Sequence, residues 1–308
     1  MAEWPHTWKP GPPGRKSDLN NSRFRLWVPV LAALAVLLAA CSTPAGNRLA
    51  NLSLSEEPLT GKFIWHDLIT DDVNQARRFY SGVLGWAFED TTHPHGGDYT
   101  LILHGERFVG GIVELEDPSG AEYSRWLGYL SVADVDRAAE FTQNQGGKLV
   151  AGPLDLGGIG RAAAIQDPQN AVVGLLQSDH GDPDDSLQAG PGLVVWNELL
   201  AKDDAAAVAF YVSMAGLTAR QQPRAGGVYH VLESQQQMRS GVMQRPADDV
   251  EPFWLTHFGV DDVVAATRKA EELGGRVILK PGEDFRNGLQ SVVVDPTGAI
   301  FALHQWTE

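Results

Sequence analysis

The 308-residue sequence contains a single cysteine. It can form neither an internal disulfide nor a thiolate zinc cluster. Basic residues are scarce: 24 Lys and Arg stand against 39 Asp and Glu, a formal net charge of -15. A phosphate backbone needs a basic face, so no nucleic-acid partner is expected. Long apolar runs are almost absent. Leu26–Ala40 is one, at 15 residues, short of the roughly 20 that a bilayer span needs. No nucleophile elbow or P-loop appears, and no helix start follows Gly157-Gly158-Ile159-Gly160, so it is not a dinucleotide fingerprint. What remains is 43% hydrophobic and 20% charged, a globular balance long enough for about two domains.

Residues 1–25 are polar, Pro-rich and locally basic, and the apolar run after them suits a signal-peptide core. The run ends in Leu38-Ala39-Ala40-Cys41, which resembles the bacterial lipobox. That resemblance implies a lipoprotein signal over 1–40, a lipid on Cys41, and a polar tether over 41–61. The expected location is the cell envelope, outside the cytoplasm, with the membrane as a partner through the lipid on Cys41. The alternative is an uncleaved anchor.

The rest of the chain repeats. Trp65-His66-Asp67-Leu68 recurs as Trp196-Asn197-Glu198-Leu199, and Phe79-Tyr80 as Phe210-Tyr211, both at an offset of 131. Trp126-Leu127 recurs as Trp254-Leu255, Gly146-Gly147 as Gly274-Gly275, and Asp167-Pro168 as Asp295-Pro296, at 128. A duplicated unit follows, with domains expected over 61–178 and 192–308 and an acidic linker over 179–191. Each unit splits again. A strand is followed by an acidic cap (Asp71-Asp72, Asp134, Asp203-Asp204, Asp261-Asp262) that can accept free helix N–H groups. A helical pattern ends at Gly85, Gly146, Gly216 or Gly274. Three short strands come next, exemplified by Arg276–Leu279, Gln290–Val294 and Ile300–Gln305. The pattern predicts an α+β fold of four βαβββ modules.

This order, with Phe79-Tyr80, Leu84-Gly85-Trp86 and Asp-Pro-x-Gly before the last strand, resembles the vicinal oxygen chelate superfamily of glyoxalases, extradiol dioxygenases and bleomycin-resistance proteins. Trp at the first-strand position is similar to a two-domain, glyoxalase-like branch from mycobacteria and actinomycetes. The resemblance covers roughly Gly61–Glu308. It implies tandem domains with two curled mixed sheets, each enclosing a cavity. It also implies a divalent metal, held by His or Glu on first strands and Glu on last strands. Carried over by spacing, the first-strand positions are Trp65, Leu127, Trp196 and Leu255, and the last strands offer Gly174 and Ala302. None is a metal ligand. No cofactor is therefore expected, and a metal only through displaced ligands.

Strand parity supplies a candidate site. Trp65, Asp67 and Tyr129 should face the first cavity, with His66 pointing out. Trp196, Glu198, His257 and His304 should face the second. Glu198 should orient His257, with Trp196 as a wall. Glu198, His257 and His304 could form a displaced metal triad, but a hydrogen-bonded network is the stronger expectation. A binding site for a small, partly apolar molecule follows. The alternative is a lyase or dioxygenase of the superfamily type, metal-dependent or using Glu198 and His257 as acid and base. His93 and His95 read as a loop tip, and Asp179, Asp182, Asp184 and Asp185 as a solvated acidic linker.

Overall fold

The computed structural model describes residues 54–307 apart from Glu56, 93–97, 116–123, 157–158, Gln188, 225–226 and 283–285. The expected signal segment, Cys41 and the His93–His95 tip lie outside the described residues. Among those described, no helix is long and apolar enough to cross a membrane.

The fold is α+β, built from four βαβββ modules. The first two are β1 (Phe63–Thr70), α1 (Val73–Leu84), β2 (Ala87–Thr92), β3 (Asp98–His104) and β4 (Arg107–Glu114), then β5 (Arg125–Ser131), α2 (Val135–Asn144), β6 (Lys148–Asp155), β7 (Gly160–Gln166) and β8 (Val172–Ser178). The second two are β9 (Val194–Ala201), α3 (Asp204–Ala215), β10 (Thr218–Arg224), β11 (Gly227–Ser234) and β12 (Gln237–Gln244), then β13 (Phe253–Val260), α4 (Val263–Glu272), β14 (Arg276–Leu279), β15 (Gln290–Val294) and β16 (Ile300–Gln305). Each pair of modules makes one eight-stranded mixed sheet, ordered β2-β3-β4-β1-β5-β8-β7-β6 and β10-β11-β12-β9-β13-β16-β15-β14. The antiparallel pairs β1–β5 and β9–β13 join the modules at the centre.

The helices start where the acidic caps predict. Asp72, Asp134, Asp203 and Asp262 each accept the backbone N–H three residues on, filling an orphan donor of the first turn. Gly85 and Gly216 close α1 and α3 in the left-handed conformation.

The two sheets share their cores. Leu68, Phe79, Tyr80 and Trp126 of the first half pack in one cluster with Phe258, Val260 and Phe301 of the second. Leu130, Val135 and Val173 pack with Leu199, Tyr211 and Trp254 in another. Both clusters carry the same buried polar link. Tyr80 Oη donates to Asp295 Oδ2 at 2.9 Å and accepts from Trp126 Nε1 at 2.8 Å. Tyr211 Oη donates to Asp167 Oδ2 at 3.0 Å and accepts from Trp254 Nε1 at 3.0 Å. The other oxygen of each aspartate caps its own turn, taking the backbone N–H groups of Thr297 and Ala299, or of Gln169 and Ala171. The repeated Phe-Tyr, Trp and Asp-Pro elements are thus one device, made twice across the halves.

The acidic linker is not a solvated run. Asp182 is buried and accepts from Leu59 N and Ser131 Oγ, both at 2.6 Å. Asp185 pairs with Arg239 and Lys62. Two of its carboxylates therefore strap the linker down, each against a specific partner.

Removing either hydroxyl leaves a buried aspartate oxygen and an indole N–H without their partner. Tyr80→Phe and Tyr211→Phe should each lower stability by about 1–3 kcal/mol. Urea midpoints measure this. Midpoints equal to wild type would show that the link is incidental to the packing of the halves.

Candidate functional site

Parity along the central strands holds. On the first sheet Trp65, Leu127 and Tyr129 lie in one cluster with Tyr99, Leu101 and Ile159. His66 points the other way and meets Asn197, its repeat counterpart, at 3.0 Å across the halves. Burial pushes the His66 imidazole down to about 4, so it is neutral at pH 7.

Asp67 is fully buried and is the hub of the first face. Its Oδ1 accepts from Trp65 Nε1 at 2.9 Å and Tyr99 Oη at 2.8 Å. Tyr129 interacts with the same carboxyl. Tyr99 reaches it by crossing Gly111, the residue paired with Asp67 on β4; a Cβ there would overlap the Tyr99 hydroxyl. Gly174 likewise stands opposite Tyr129, and a Cβ would overlap the ring. Asp67 and Tyr129 are buried on this face, with Asp67 Oδ2 left without a hydrogen-bond partner among the described residues, while Trp65, Phe108, Ile159 and Leu176 border a cleft. The large Tyr99 and Tyr129 side chains fill the space that the two glycines leave.

The second sheet repeats the arrangement with shorter filling. Glu198 pairs with Gly241 on β12, and Tyr229 passes over that glycine as Tyr99 passes over Gly111. Trp196 Nε1 donates to Tyr229 Oη at 2.8 Å, and Tyr229 in turn hydrogen-bonds Glu198. Where the first sheet has Tyr129, the second has His257; where it has Leu176, the second has His304. A cavity of about 60 Å³ opens beside them, lined by Glu198, Leu255, His257, Arg286 and Gln290 among others.

Glu198 and His257 both border this cavity, as strand parity predicts, but no direct hydrogen bond joins them. In the β9–β13 register Glu198 opposes Leu255, and His257 opposes Trp196. The two groups are diagonal neighbours across the strand pair. Glu198 Oε1 instead accepts from Arg286 Nη2 at 2.7 Å. Arg286 lies in a one-turn helix, Arg286–Gly288, with both Arg286 and Asn287 in the left-handed region (φ 51° and 56°). This unusual backbone turns the guanidinium over the site. His257 is 1% exposed and neither ring nitrogen has a hydrogen-bond partner among the described residues. Burial pushes it down to about 4, with Glu198 opposing and His304 adding to the shift. The His304 ring lies 6.0 Å from that of His257, and its Nδ1 meets Gln290 Nε2 at 3.2 Å.

Trp196 is not a wall of this small cavity. With Trp65 it lines a larger cleft of about 1080 Å³, where the starts of β1 and β9 meet the linker and Phe108, Met238 and Trp306.

Sequence reasoning missed Tyr99, Tyr229 and Arg286. The tyrosines carried a signal, since they recur at an offset of 130 opposite the paired glycines. Arg286 carried none, because its counterpart at 128 is Gly158.

The family model described as "Glyoxalase/Bleomycin resistance protein/Dioxygenase superfamily" matches residues 62–175 and again 193–303. The chain belongs to that superfamily. Over 244 residues it is 34% identical to a Mycobacterium tuberculosis protein named "Putative glyoxylase CFP32", covering 78% of this chain and 92% of that one. It is 28% identical over 258 residues to the anthracycline biosynthesis protein DauV of Streptomyces sp. strain C5, covering 79% and 93%. Among solved structures it resembles the Mn(II)-bound glyoxalase of Novosphingobium aromaticivorans, with a TM-score of 0.54, 16% identity, and 82% and 84% of the two chains covered.

The Novosphingobium glyoxalase is Mn(II)-bound; the residues described here at the carried-over positions do not fit a metal. Indoles and leucines occupy the first-strand positions, and a guanidinium already sits on Glu198. Among the described residues no group of three or more His, Cys, Asp or Glu could hold an ion. The Glu198, His257 and His304 triad does not form.

The buried carboxyl of the first sheet has a measurable signature. Burial pushes Asp67 up to about 6, against the hydrogen bonds from Tyr99, Trp65 and Tyr129. The native state then holds this proton more tightly than the unfolded chain. The stability it contributes is present below about pH 4 and is lost as pH rises through about 6. Asp67→Asn lacks this term. Its stability relative to wild type should rise by up to roughly 3 kcal/mol between pH 4 and pH 7. Urea midpoints at the two pH values check this, and a difference that does not move with pH would rule it out.

Proposed function

We propose that the chain binds a small, partly apolar molecule at the concave face of the second sheet, with its polar end beside His257, Glu198 and Arg286. One observation carries the reading: His257 is buried, both its ring nitrogens lack partners, and it opens on a cavity. A buried polar group without a partner costs free energy until something bonds it. The walls supplied by Leu200, Leu255 and Val292 suit an apolar body. On the first sheet the corresponding carboxyl, Asp67, is enclosed by Trp65, Tyr99 and Tyr129. The names of the relatives, a glyoxylase and a protein of anthracycline biosynthesis, support an organic ligand and place anthracyclines in the first screen.

The test is a thermal-shift screen on wild type, Glu198→Gln, His257→Ala and Asp67→Asn. Ligands that raise the wild-type melting temperature should lose most of that shift in the first two variants and keep it in the third. Equal loss in all three, or none in any, places binding elsewhere. Metal analysis of protein purified without chelators belongs in the same experiment. A stoichiometric ion would sink the metal-free reading.

The envelope location is part of the proposal and rests on the Leu-Ala-Ala-Cys sequence at the only cysteine. Mass spectrometry of the membrane fraction should find residues 1–40 removed and Cys41 carrying lipid. An unmodified Cys41 in an intact N-terminus overturns it.

A further inference from the structure

The second sheet's site takes on a definite chemistry when its charges and free donors are counted. Glu198 and Arg286 cancel one another at 2.7 Å. Among the described residues, every titratable or charged group packed around His257 then reads as neutral or paired. Glu198 approaches from β9, Arg286 from its one-turn helix and His304 from β16, while Tyr229 from β11 acts through Glu198. The buried imidazole is reluctant to take a proton, and Glu198 only partly offsets that. A ligand that arrived charged would be buried beside a pair that is already matched, and nothing would compensate it.

The free hydrogen-bonding groups have both senses. Neutral His257 offers one N–H donor and one bare nitrogen acceptor. Arg286 meets Glu198 and Met243 through Nη2, so Nε and Nη1 have no hydrogen-bond partner among the described residues. A group that both donates and accepts matches this set. The cavity, about 60 Å³, holds only the end of a molecule, since one water alone needs roughly 10–15 Å³ by the same measure.

From this geometry we infer that the site recognises an uncharged hydroxyl, that of an alcohol or phenol, which donates to the bare nitrogen of His257 and accepts from the imidazole or guanidinium N–H groups around it. This rests on the proposed binding site and adds the class of ligand. The duplicated half shows why the function would fall to this domain. Tyr129 stands at the position of His257 and carries its own hydroxyl into the place beside the carboxyl, so the first sheet holds internally the group that the second must take from outside.

The probes are 4-nitrophenol and its methyl ether 4-nitroanisole, which have the same ring and nitro group and differ in the hydroxyl proton. Binding is read from the ring resonances of His257 and from the visible absorbance of the phenolate. Wild type should bind 4-nitrophenol about tenfold or more tightly than the ether. Protein should deplete the phenolate absorbance near the phenol's own midpoint, because the neutral form is drawn into the site. Affinity should fall as the phenol ionises. Arg286→Lys should keep the preference for the neutral form, and His257→Phe should abolish the difference between the probes. Equal binding of the two probes at His257 would overturn the hydroxyl inference and leave the binding site standing. An increase in phenolate on adding protein would also overturn it, by showing that the site prefers charge. If neither probe perturbs His257, both the inference and the binding reading fail. The two wild-type comparisons need no variant, so a His257→Phe protein that does not fold leaves the outcome decided.

Discussion

The structure depends on a buried phenol-to-carboxylate hydrogen bond made twice between the halves. Tyr80 reaches Asp295, and Tyr211 reaches Asp167. Each aspartate also organises the turn before the last strand of its sheet, and each tyrosine takes an indole N–H from the central strand of its own half. One four-group chain therefore fixes a helix, a central strand and a turn relative to each other. The aromatic clusters around it, with Trp86 stacked on Tyr80 and Phe258 against Trp126, supply the area that a lone polar link lacks. With one face of each sheet joined in this way, the opposite faces are left free to differ.

They differ by few side chains. Both sheets place an indole, a carboxylate and a tyrosine on the same strands, with a glycine under the tyrosine. In the first, aspartate and Tyr129 make a compact core. In the second, a smaller ring at His257 leaves space, and the longer Glu198 meets Arg286, which enters from a connection that has glycine at the matching position of the first. Among the described residues each copy keeps an unpartnered buried polar atom, Asp67 Oδ2 in the first and both His257 ring nitrogens in the second, and only those of His257 border the small cavity. Among the described residues neither copy brings three metal-ligating side chains together.

Much of the fold was legible in the sequence because its signals are local. Acidic caps, left-handed glycines and the constant offsets located each module, and period-two alternation assigned the facing of Trp65, Asp67, Glu198 and His257. The partners were not legible. Whether Glu198 meets His257 or Arg286 depends on the register of β9 against β13 and on a left-handed turn 88 residues away, neither of which leaves a periodic trace. The enclosure of Asp67 was missed for a related reason. Parity gives the direction of a side chain but not the volume that Tyr99 brings across Gly111. The linker acids read as solvated because acidic runs usually are, yet Asp182 and Asp185 find buried or basic partners from distant strands.

The pairing of modules has a consequence for ancestry and assembly. The first module shares its core with the fourth, and the second with the third, and the tyrosine-to-aspartate contact across the halves occurs twice with its roles exchanged. That is the signature of an isologous interface. Two copies of a single 120-residue unit, each carrying the tyrosine and the turn aspartate, would make the same contacts about a two-fold axis. Joining them end to end turns a symmetric dimer into one chain. It also frees the two faces from having to evolve as equals, because a substitution such as tyrosine to histidine at one concave face no longer appears in both.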